Sequence, residues 1–402
     1  MQPAKPRIIS IITTSRADYG HLLWTLRAIE QHPLLSLDLI VCGSHLSTEF
    51  GFSVDQVQQD GFTNFTILKT LCEGDKDTSM VETLALSIFE LGKHLSLKRP
   101  DILLVIADRY EMLAPASVAL CLGIPIAHIE GGDISQGALD DQVRNALTKM
   151  SHLHFVPSSD AYQRVIAMGE APWRVEHAGA LSLDNLKIGS LPSLAKLQSH
   201  FEFQLSENYF LICMHPVTLS TAPCDDIMAV LDALSHFGKK YQFIFCFPNA
   251  DKGYRLIIDQ VTRFCSRIKN AELIVQLEHQ YFWTMMKHAR LMIGNSSSGI
   301  METPSLRLAT LNVGDRQKGR LQAKNIIQCT SDTQAITAAI RQALSNEFQQ
   351  SLQSVKNPYD SGKIASQLIA NKLAQVPLGM ELLRKEFYPV IKEEQYFFKI
   401  LP

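Results

Sequence analysis

The sequence has no excess charge of either sign: 38 Lys and Arg stand against 40 Asp and Glu, a net charge of −2 at pH 7 with neutral histidine. A general nucleic-acid or membrane-surface binder needs a basic excess to neutralise phosphates, so that class is excluded. Paired cysteines are missing too. The nearest two of eight, Cys213 and Cys224, lie eleven positions apart, leaving no C-x-x-C redox pair and no zinc-ligand doublet. Several sit inside apolar runs, as in Phe245-Cys246-Phe247, and are expected to be reduced, buried thiols. No stretch approaches the roughly 18 consecutive apolar residues of a membrane span. Residues 8–12 are too short for a secretory signal and run straight into Thr13-Thr14-Ser15-Arg16. A cytoplasmic protein is expected. There is no H-E-x-x-H spacing, no G-x-G-x-x-G after the first strand, no internal repeat and no low-complexity tract. Neither a catalytic metal nor a cofactor is expected.

What is present is a chain of 402 residues, 46% apolar and 19% charged. At roughly 100–200 residues per domain, that length implies two domains with ample cores. Continuous apolar runs predict strands at 8–13, 37–42, 102–106, 124–128, 153–156, 210–214, 243–247, 273–275, 291–293 and 310–313. Helical patterns lie between them, for example at 20–31, 80–97, 140–150 and 335–344. Runs without alternation belong to strands covered on both faces, and the strand-helix succession predicts an α/β fold of doubly wound parallel sheets. The succession breaks once, between residues 183 and 208. Residues 1–182 and 183–375 are therefore expected as two Rossmann-like domains facing each other across a cleft. Residues 376–402, helical and then aromatic-rich, are expected to complete the first domain or to meet a partner subunit.

In open α/β sheets ligands bind beyond the carboxyl ends of the strands, so the polar residues after each strand are the informative ones. Arg16 follows strand one in Ser15-Arg16-Ala17-Asp18-Tyr19 and can reach a phosphate, while Asp18 is equally suited to capping a helix. Asp108-Arg109 follow the strand at 102–106; the carboxylate has a common catalytic placement, or caps a helix. Glu130 precedes Gly131-Gly132-Asp133, whose glycines permit a sharp turn, and Asp140, Asp141 and Arg144 open the next helix. Asp108, Glu130 and Asp140 could converge at one sheet edge, where crowding would separate their acid and base roles. Asp141 and Arg144 also fit a plain i,i+3 pair at a helix start. In the second half, Gly294-Asn295-Ser296-Ser297-Ser298-Gly299 with Glu302 offers hydroxyls and backbone N–H groups to a phosphate and a carboxylate to ribose hydroxyls. It is not a Walker A loop, because Ile300-Met301 follow Gly299. Arg316 supplies another cation. His215 and Asn249 each follow a strand and face the expected cleft.

The ordered set of these motifs resembles the hydrolysing UDP-N-acetylglucosamine 2-epimerases of the sialic- and legionaminic-acid pathways. The match runs from Ser15-Arg16-Ala17-Asp18-Tyr19 through Asp108-Arg109, His128-Ile129-Glu130-Gly131-Gly132, Leu139-Asp140-Asp141 and His215-Pro216-Val217-Thr218. It continues to Gly294-Asn295-Ser296-Ser297-Ser298-Gly299 and Arg316-Gln317 with Gly319-Arg320. The resemblance implies the two-domain GT-B fold, with nucleotide on the C-terminal domain and sugar facing the N-terminal one. It implies catalytic roles for Asp108, Glu130 and Asp140, and places His215 where it holds the UDP-sugar, with hydrogen bonding to the β-phosphate or acid catalysis as its expected role. Binding of the UDP-sugar falls to Arg16, Arg109, Asp141, Arg144, Asn249, Ser296, Ser297, Ser298, Gly299, Glu302 and Arg316. The implied reaction turns UDP-GlcNAc and water into ManNAc and UDP through elimination to a 2-acetamidoglycal. The alternatives are the same chemistry on UDP-2,4-diacetamido-2,4,6-trideoxyglucose, or a GT-B glycosyltransferase or inactive UDP-sugar-binding regulator. A homodimer or homotetramer is implied as well. Three departures from the family pattern are Asp133 in place of Glu, a segment from Glu130 to Asp140 one residue longer than in the animal enzymes, and Asp360 in Asn357-Pro358-Tyr359-Asp360-Ser361-Gly362, where Gly is usual.

Overall fold

The computed structural model describes residues 5–74, 76, 78–218 and 225–389. It contains two wholly parallel sheets. The first comprises β1 (Arg7–Thr13), β2 (Leu35–Val41), β3 (Phe65–Ile67), β4 (Ile102–Ile106), β5 (Ile126–Ile129), β6 (Leu153–Val156) and β7 (Val175–His177). Its order is β3-β2-β1-β4-β5-β6-β7. The second comprises β8 (Tyr209–Cys213), β9 (Gln242–Cys246), β10 (Ala271–Ile274), β11 (Leu291–Gly294), β12 (Thr310–Val313) and β13 (Ile326–Cys329), ordered β10-β9-β8-β11-β12-β13. Helices cover both faces, so central strands such as β4 and β8 are buried at every residue, which is why they are continuous apolar runs. Both sheets reverse direction beside their first strand, at β1/β4 and β8/β11, and such switch points open ligand crevices. Among the described residues no helix is long and apolar enough to cross a membrane.

All ten expected strands occur, most shifted by one or two residues. Three were missed: β3, β7 and β13. Each is a short edge strand whose residues are mostly half-exposed, so none has the unbroken apolar run that marks a central strand.

The domain boundary needs one correction. The helix Ala365–Gln375, expected in the second domain, buries Ala365, Ile369, Ala370 and Leu373 in the core of the first. Its N-terminus is held by the buried Asp184 carboxylate, which accepts the N–H groups of Ala365 at 3.1 Å and Ser366 at 2.8 Å. The chain crosses back at 357–364. There Asp360 pairs with Lys187 at 2.7 Å, Ser361 donates to the Ala178 carbonyl, and the fully buried Tyr359 plugs the core of the second domain. The unusual Asp360 is thus a surface anchor of this crossing.

The tail then lies on the first domain. Arg174 donates to the carbonyls of Glu381, Leu382 and Arg384, and Lys385 reaches Glu170 at 2.8 Å. The Phe387 ring lies over Gly169 (φ +88°), where a Cβ would come within 2.3 Å of it. Tyr396, Phe397 and Phe398 lie outside the described residues.

Candidate active site

Two adjoining chambers lie between the carboxyl ends of the two sheets, enclosing about 890 and 730 Å³ open to solvent. They share Ala17, His21, His215, Asn249, Ser296 and Ser298, so they form one elongated cleft. One chamber is lined by Asp108, Glu130, Asp140, Arg144 and Arg316 and is strongly charged. The other, lined by Phe247, Ile274, Leu277, Phe282 and Trp283 with Glu302 at one side, is largely apolar. A nucleotide needs such a division: a flat apolar berth for its base and charged ground for its phosphates.

The carboxylates sit on strained backbone. Glu130 follows β5 with φ +63°, and Ala107, directly before Asp108 at the end of β4, has φ +57°. Left-handed backbone at residues other than glycine costs on the order of 1–3 kcal/mol and clusters at functional sites. Burial drives the His128 imidazole down to about 3, so it is neutral, and its Nε2–H donates to the Ala107 carbonyl at 2.8 Å. That bond holds the peptide that aims Asp108.

Burial works against the Asp108 charge, but Arg144, Arg320 and Arg316 outweigh it and hold the carboxyl below its usual range. Arg144 forms an ion pair with Asp108 and donates to the Asp133 carbonyl at 3.0 Å and Ser135 Oγ at 3.1 Å; Arg320 lies 3.7 Å from Asp108. Asp140, the first residue of the helix Asp140–Met150, is pushed the opposite way, by burial and then by the Asp108 charge, with Arg316 at 3.8 Å opposing. Neighbouring carboxyls with divergent protonation are the arrangement that separates acid from base.

On the facing domain, the fully buried Asn295 is the organiser. Its Oδ1 accepts the His215 N–H at 2.8 Å, its Nδ2 donates to the His215 carbonyl, and its own carbonyl accepts from Arg316 and Gln317. Burial, then Arg316, pushes His215 down to about 3, and Nδ1 accepts the Asn249 N–H at 3.2 Å. The neutral ring therefore carries its proton on Nε2 and is a hydrogen-bond donor. Gly294, at φ +149°, ends β11 where any Cβ would collide with the Cys213 carbonyl at 2.0 Å, which lets the serine loop start close over β8.

Most of the residues singled out from sequence line the cleft, and some need reassignment. Asp141 lines neither chamber: it accepts the Ser135 N–H at 2.7 Å and lies 3.6 Å from Arg144. Gly299 lies against β12, where a Cβ would be 3.1 Å from Thr310 Cγ2, and its N–H is taken by the Ser296 carbonyl. Arg16 belongs to the apolar chamber and donates to the Val275 carbonyl at 2.7 Å. Arg109 lines the charged chamber but is gripped by Glu111 at 2.7 Å and, across the cleft, Asp251 at 3.2 Å. Asp18 completes a capping box with Ser15 and ties down the turn. Three contributors were missed: Asn295, Arg320 and His21. His21 lies four residues after Ala17 on the same helix face, and that periodicity was the available signal.

The loops at 133–139 and 315–320 close one end of the cleft. Gln136 N–H donates to the Lys318 carbonyl at 3.0 Å, and Gly137 passes so close that a Cβ would stand 2.1 Å from the Asp315 carbonyl. Gly137→Ala is expected to prise the loops apart and lower kcat/KM about 100-fold, the scale of a 1 Å misplacement. The clash is with backbone, so the melting temperature should fall as well; steady-state kinetics beside a thermal melt check both.

A family model described as UDP-N-acetylglucosamine 2-epimerase matches residues 27–374. The polysialic acid biosynthesis protein P7 of Escherichia coli is 34% identical over 352 residues, spanning 87% of this chain and 90% of that protein. A protein of Campylobacter jejuni named GDP/UDP-N,N'-diacetylbacillosamine 2-epimerase (hydrolyzing) is 35% identical over 346 residues, 86% and 89% of the two chains. Among solved structures, the UDP-GlcNAc 2-epimerase from Neisseria meningitidis bound to UDP-GlcNAc superposes with a TM-score of 0.77 at 18% identity, covering 92% of this chain and 100% of that one. That likeness speaks to the shared two-sheet fold.

Proposed function

The chain belongs to the UDP-N-acetylglucosamine 2-epimerase family, and from that premise we propose that it is a hydrolysing UDP-sugar 2-epimerase acting on UDP-GlcNAc. The observation that carries the reading is the set Asp108, Glu130 and Asp140 facing Arg316 and Ser296–298 across one cleft. Uridine would occupy the apolar chamber, with Glu302 accepting from the ribose. Arg316, the serine hydroxyls and the Nε2–H of His215 would hold the diphosphate, and the N-acetylhexosamine would face the carboxylates.

In this scheme Glu130 takes the proton from C2 as the C1–O bond to UDP breaks, giving a 2-acetamidoglycal. Water then adds its oxygen to C1 while Asp140 delivers a proton to the opposite face of C2. The water proton restores Asp140, and Glu130 releases the C2 proton to solvent, so UDP, ManNAc and one proton leave. Asp140, raised by burial and Asp108, suits the donor role; a positioned acid or base contributes about 10²–10⁴-fold. Asp108, held ionised by its arginines, would keep Arg144 and Arg320 fixed around the sugar.

Incubation with UDP-GlcNAc in D₂O should yield free UDP and ManNAc carrying one deuterium at C2, read by NMR. Epimerised UDP-sugar without UDP release would overturn hydrolysis. Binding without turnover would identify a regulator, and sugar transfer to an added acceptor a glycosyltransferase. The Campylobacter relative's name favours a second reading, UDP-2,4-diacetamido-2,4,6-trideoxyglucose as substrate, and side-by-side kcat/KM for the two sugars decides between them. The reading carries with it a cytoplasmic homodimer or homotetramer, measurable by light scattering.

A further inference from the structure

We propose that His21 is an imidazolium strut between Glu130 and Glu302, a positioning residue that ties the carboxylate of the sugar chamber to that of the nucleoside chamber. Its Nδ1 lies 3.7 Å from Glu130 Oε1 and its Nε2 3.3 Å from Glu302 Oε1. Ionised carboxylates only accept hydrogen bonds, and a neutral imidazole has a single N–H, so a ring facing a carboxylate with each nitrogen is complete only when doubly protonated. Both carboxylates are almost wholly buried; Glu130 Oε1, the oxygen facing His21 Nδ1, has no hydrogen-bond partner among the described residues, and neither has Glu302 Oε2, the oxygen beside the one facing Nε2. Without a cation between them they would be two buried like charges belonging to different domains, an arrangement that costs several kcal/mol.

The surroundings leave this duty to His21. On its own helix, Arg16 is committed to the Val275 carbonyl and Asp18 to the turn at Thr14 and Ser15. From the other elements, Arg320 acts electrostatically on Glu130, and Glu302 acts electrostatically on the Cys213 thiol, which is engaged with Cys246. Burial disfavours the His21 charge, yet the two carboxylates overcome it and lift the imidazole to about 10. The backbone is fixed as well. Gly20 passes the second domain so closely that a Cβ would lie 2.9 Å from His279 Cβ, pressing the helix into the cleft just where His21 projects. Because Glu130 stands on strained backbone, its carboxylate needs such an anchor; and because the same ring holds Glu302, a nucleotide engaging Glu302 would act on Glu130 through it.

The kinetic half of the test rests on the proposed activity, and the spectroscopic half does not. In ¹⁵N-histidine-labelled protein, assigned by the signal lost in His21→Gln, one of the thirteen histidines should keep both ring nitrogens protonated through pH 8.5. Glu130→Gln or Glu302→Gln should return that ring to titration between about pH 6 and 8. A neutral His21 at pH 7.5 in the wild type overturns the strut. In kinetics, His21→Gln should lower kcat by about 10–100-fold, as expected for a misplaced catalytic group, and move the acid limb of the pH profile upward. His21→Lys, which restores a cation, should recover at least about tenfold over Gln at pH 7.5, within the worth of a charged contact. Equal impairment of the Gln and Lys variants, or an unchanged kcat in Gln, overturns the positioning role. If the wild type turns over neither sugar, the activity reading fails while the NMR titration still decides the strut.

Discussion

Asp140→Asn is expected to lower kcat by about 10²–10⁴-fold while leaving the melting temperature unchanged or higher. Burial raises the Asp140 carboxyl, the Asp108 charge adds to it, and Arg316 opposes without cancelling them. A carboxyl raised on folding contributes stability that is complete below its unfolded value of ~3.9 and is lost as pH rises through the folded value. At neutral pH the wild type therefore bears the cost of that crowding, and an amide of the same shape removes it. Asp108 has the opposite sign. Its carboxyl is lowered on folding, so its contribution is present above ~3.9 and is lost as pH falls through the folded value. Calorimetry from pH 3 to 8 should show the acid-side decline surviving in Asp140→Asn while the neutral side rises. Melting several degrees lower with turnover retained would show that Asp140 supports the fold rather than the reaction.

How much of this was legible from sequence depends on where each residue's partners come from. Central strands such as β4 and β8 were readable because burial on both faces leaves an unbroken apolar run, whereas the half-exposed edges β3, β7 and β13 carry no such signature. Asp108, Glu130, His215 and Ser296–298 were readable because the parallel architecture itself brings strand-end residues into the cleft. Sequence could not tell whether an arginine near the cleft faces a ligand or a carboxylate. Arg109 and Arg144 look like substrate cations in one dimension; in three, Glu111 and Asp251 hold the first and Asp108 the second. His21 stayed hidden for the complementary reason: neither Glu130 nor Glu302 is near it in the chain, and only domain apposition makes it a bridge. The helix Ala365–Gln375 has an amphipathic pattern that suits either sheet. Only its capping by Asp184 and the crossing at Tyr359 decide which core it enters.

The Arg144 assignment yields the largest expected change in stability. Arg144 is 1% exposed and meets Asp108, the Asp133 carbonyl and Ser135 Oγ, so Arg144→Met keeps the length of the side chain and removes every polar contact. Asp108 would keep the more distant Arg320 at 3.7 Å and the field of Arg316. Breaking a buried pair from one side costs about 3–5 kcal/mol when the remaining charge is left unpaired, and Arg320 and Arg316 hold the loss here to the lower end of that range. For a domain of this size that corresponds to a melting temperature lower by ~10 °C. Asp108→Asn on the Arg144→Met background should recover part of the loss, since an amide carries no charge to strand, and a double-mutant cycle reads the coupling directly. Additive losses would mean that the pair does not support the fold. The same variants separate the two possible duties of Arg144. A residue that mainly gripped substrate would, when replaced, raise KM with little thermal effect. A residue that mainly holds Asp108 should instead lower stability and kcat together, and partial thermal recovery in the double variant should come without recovery of turnover, because Asp108 itself is then gone.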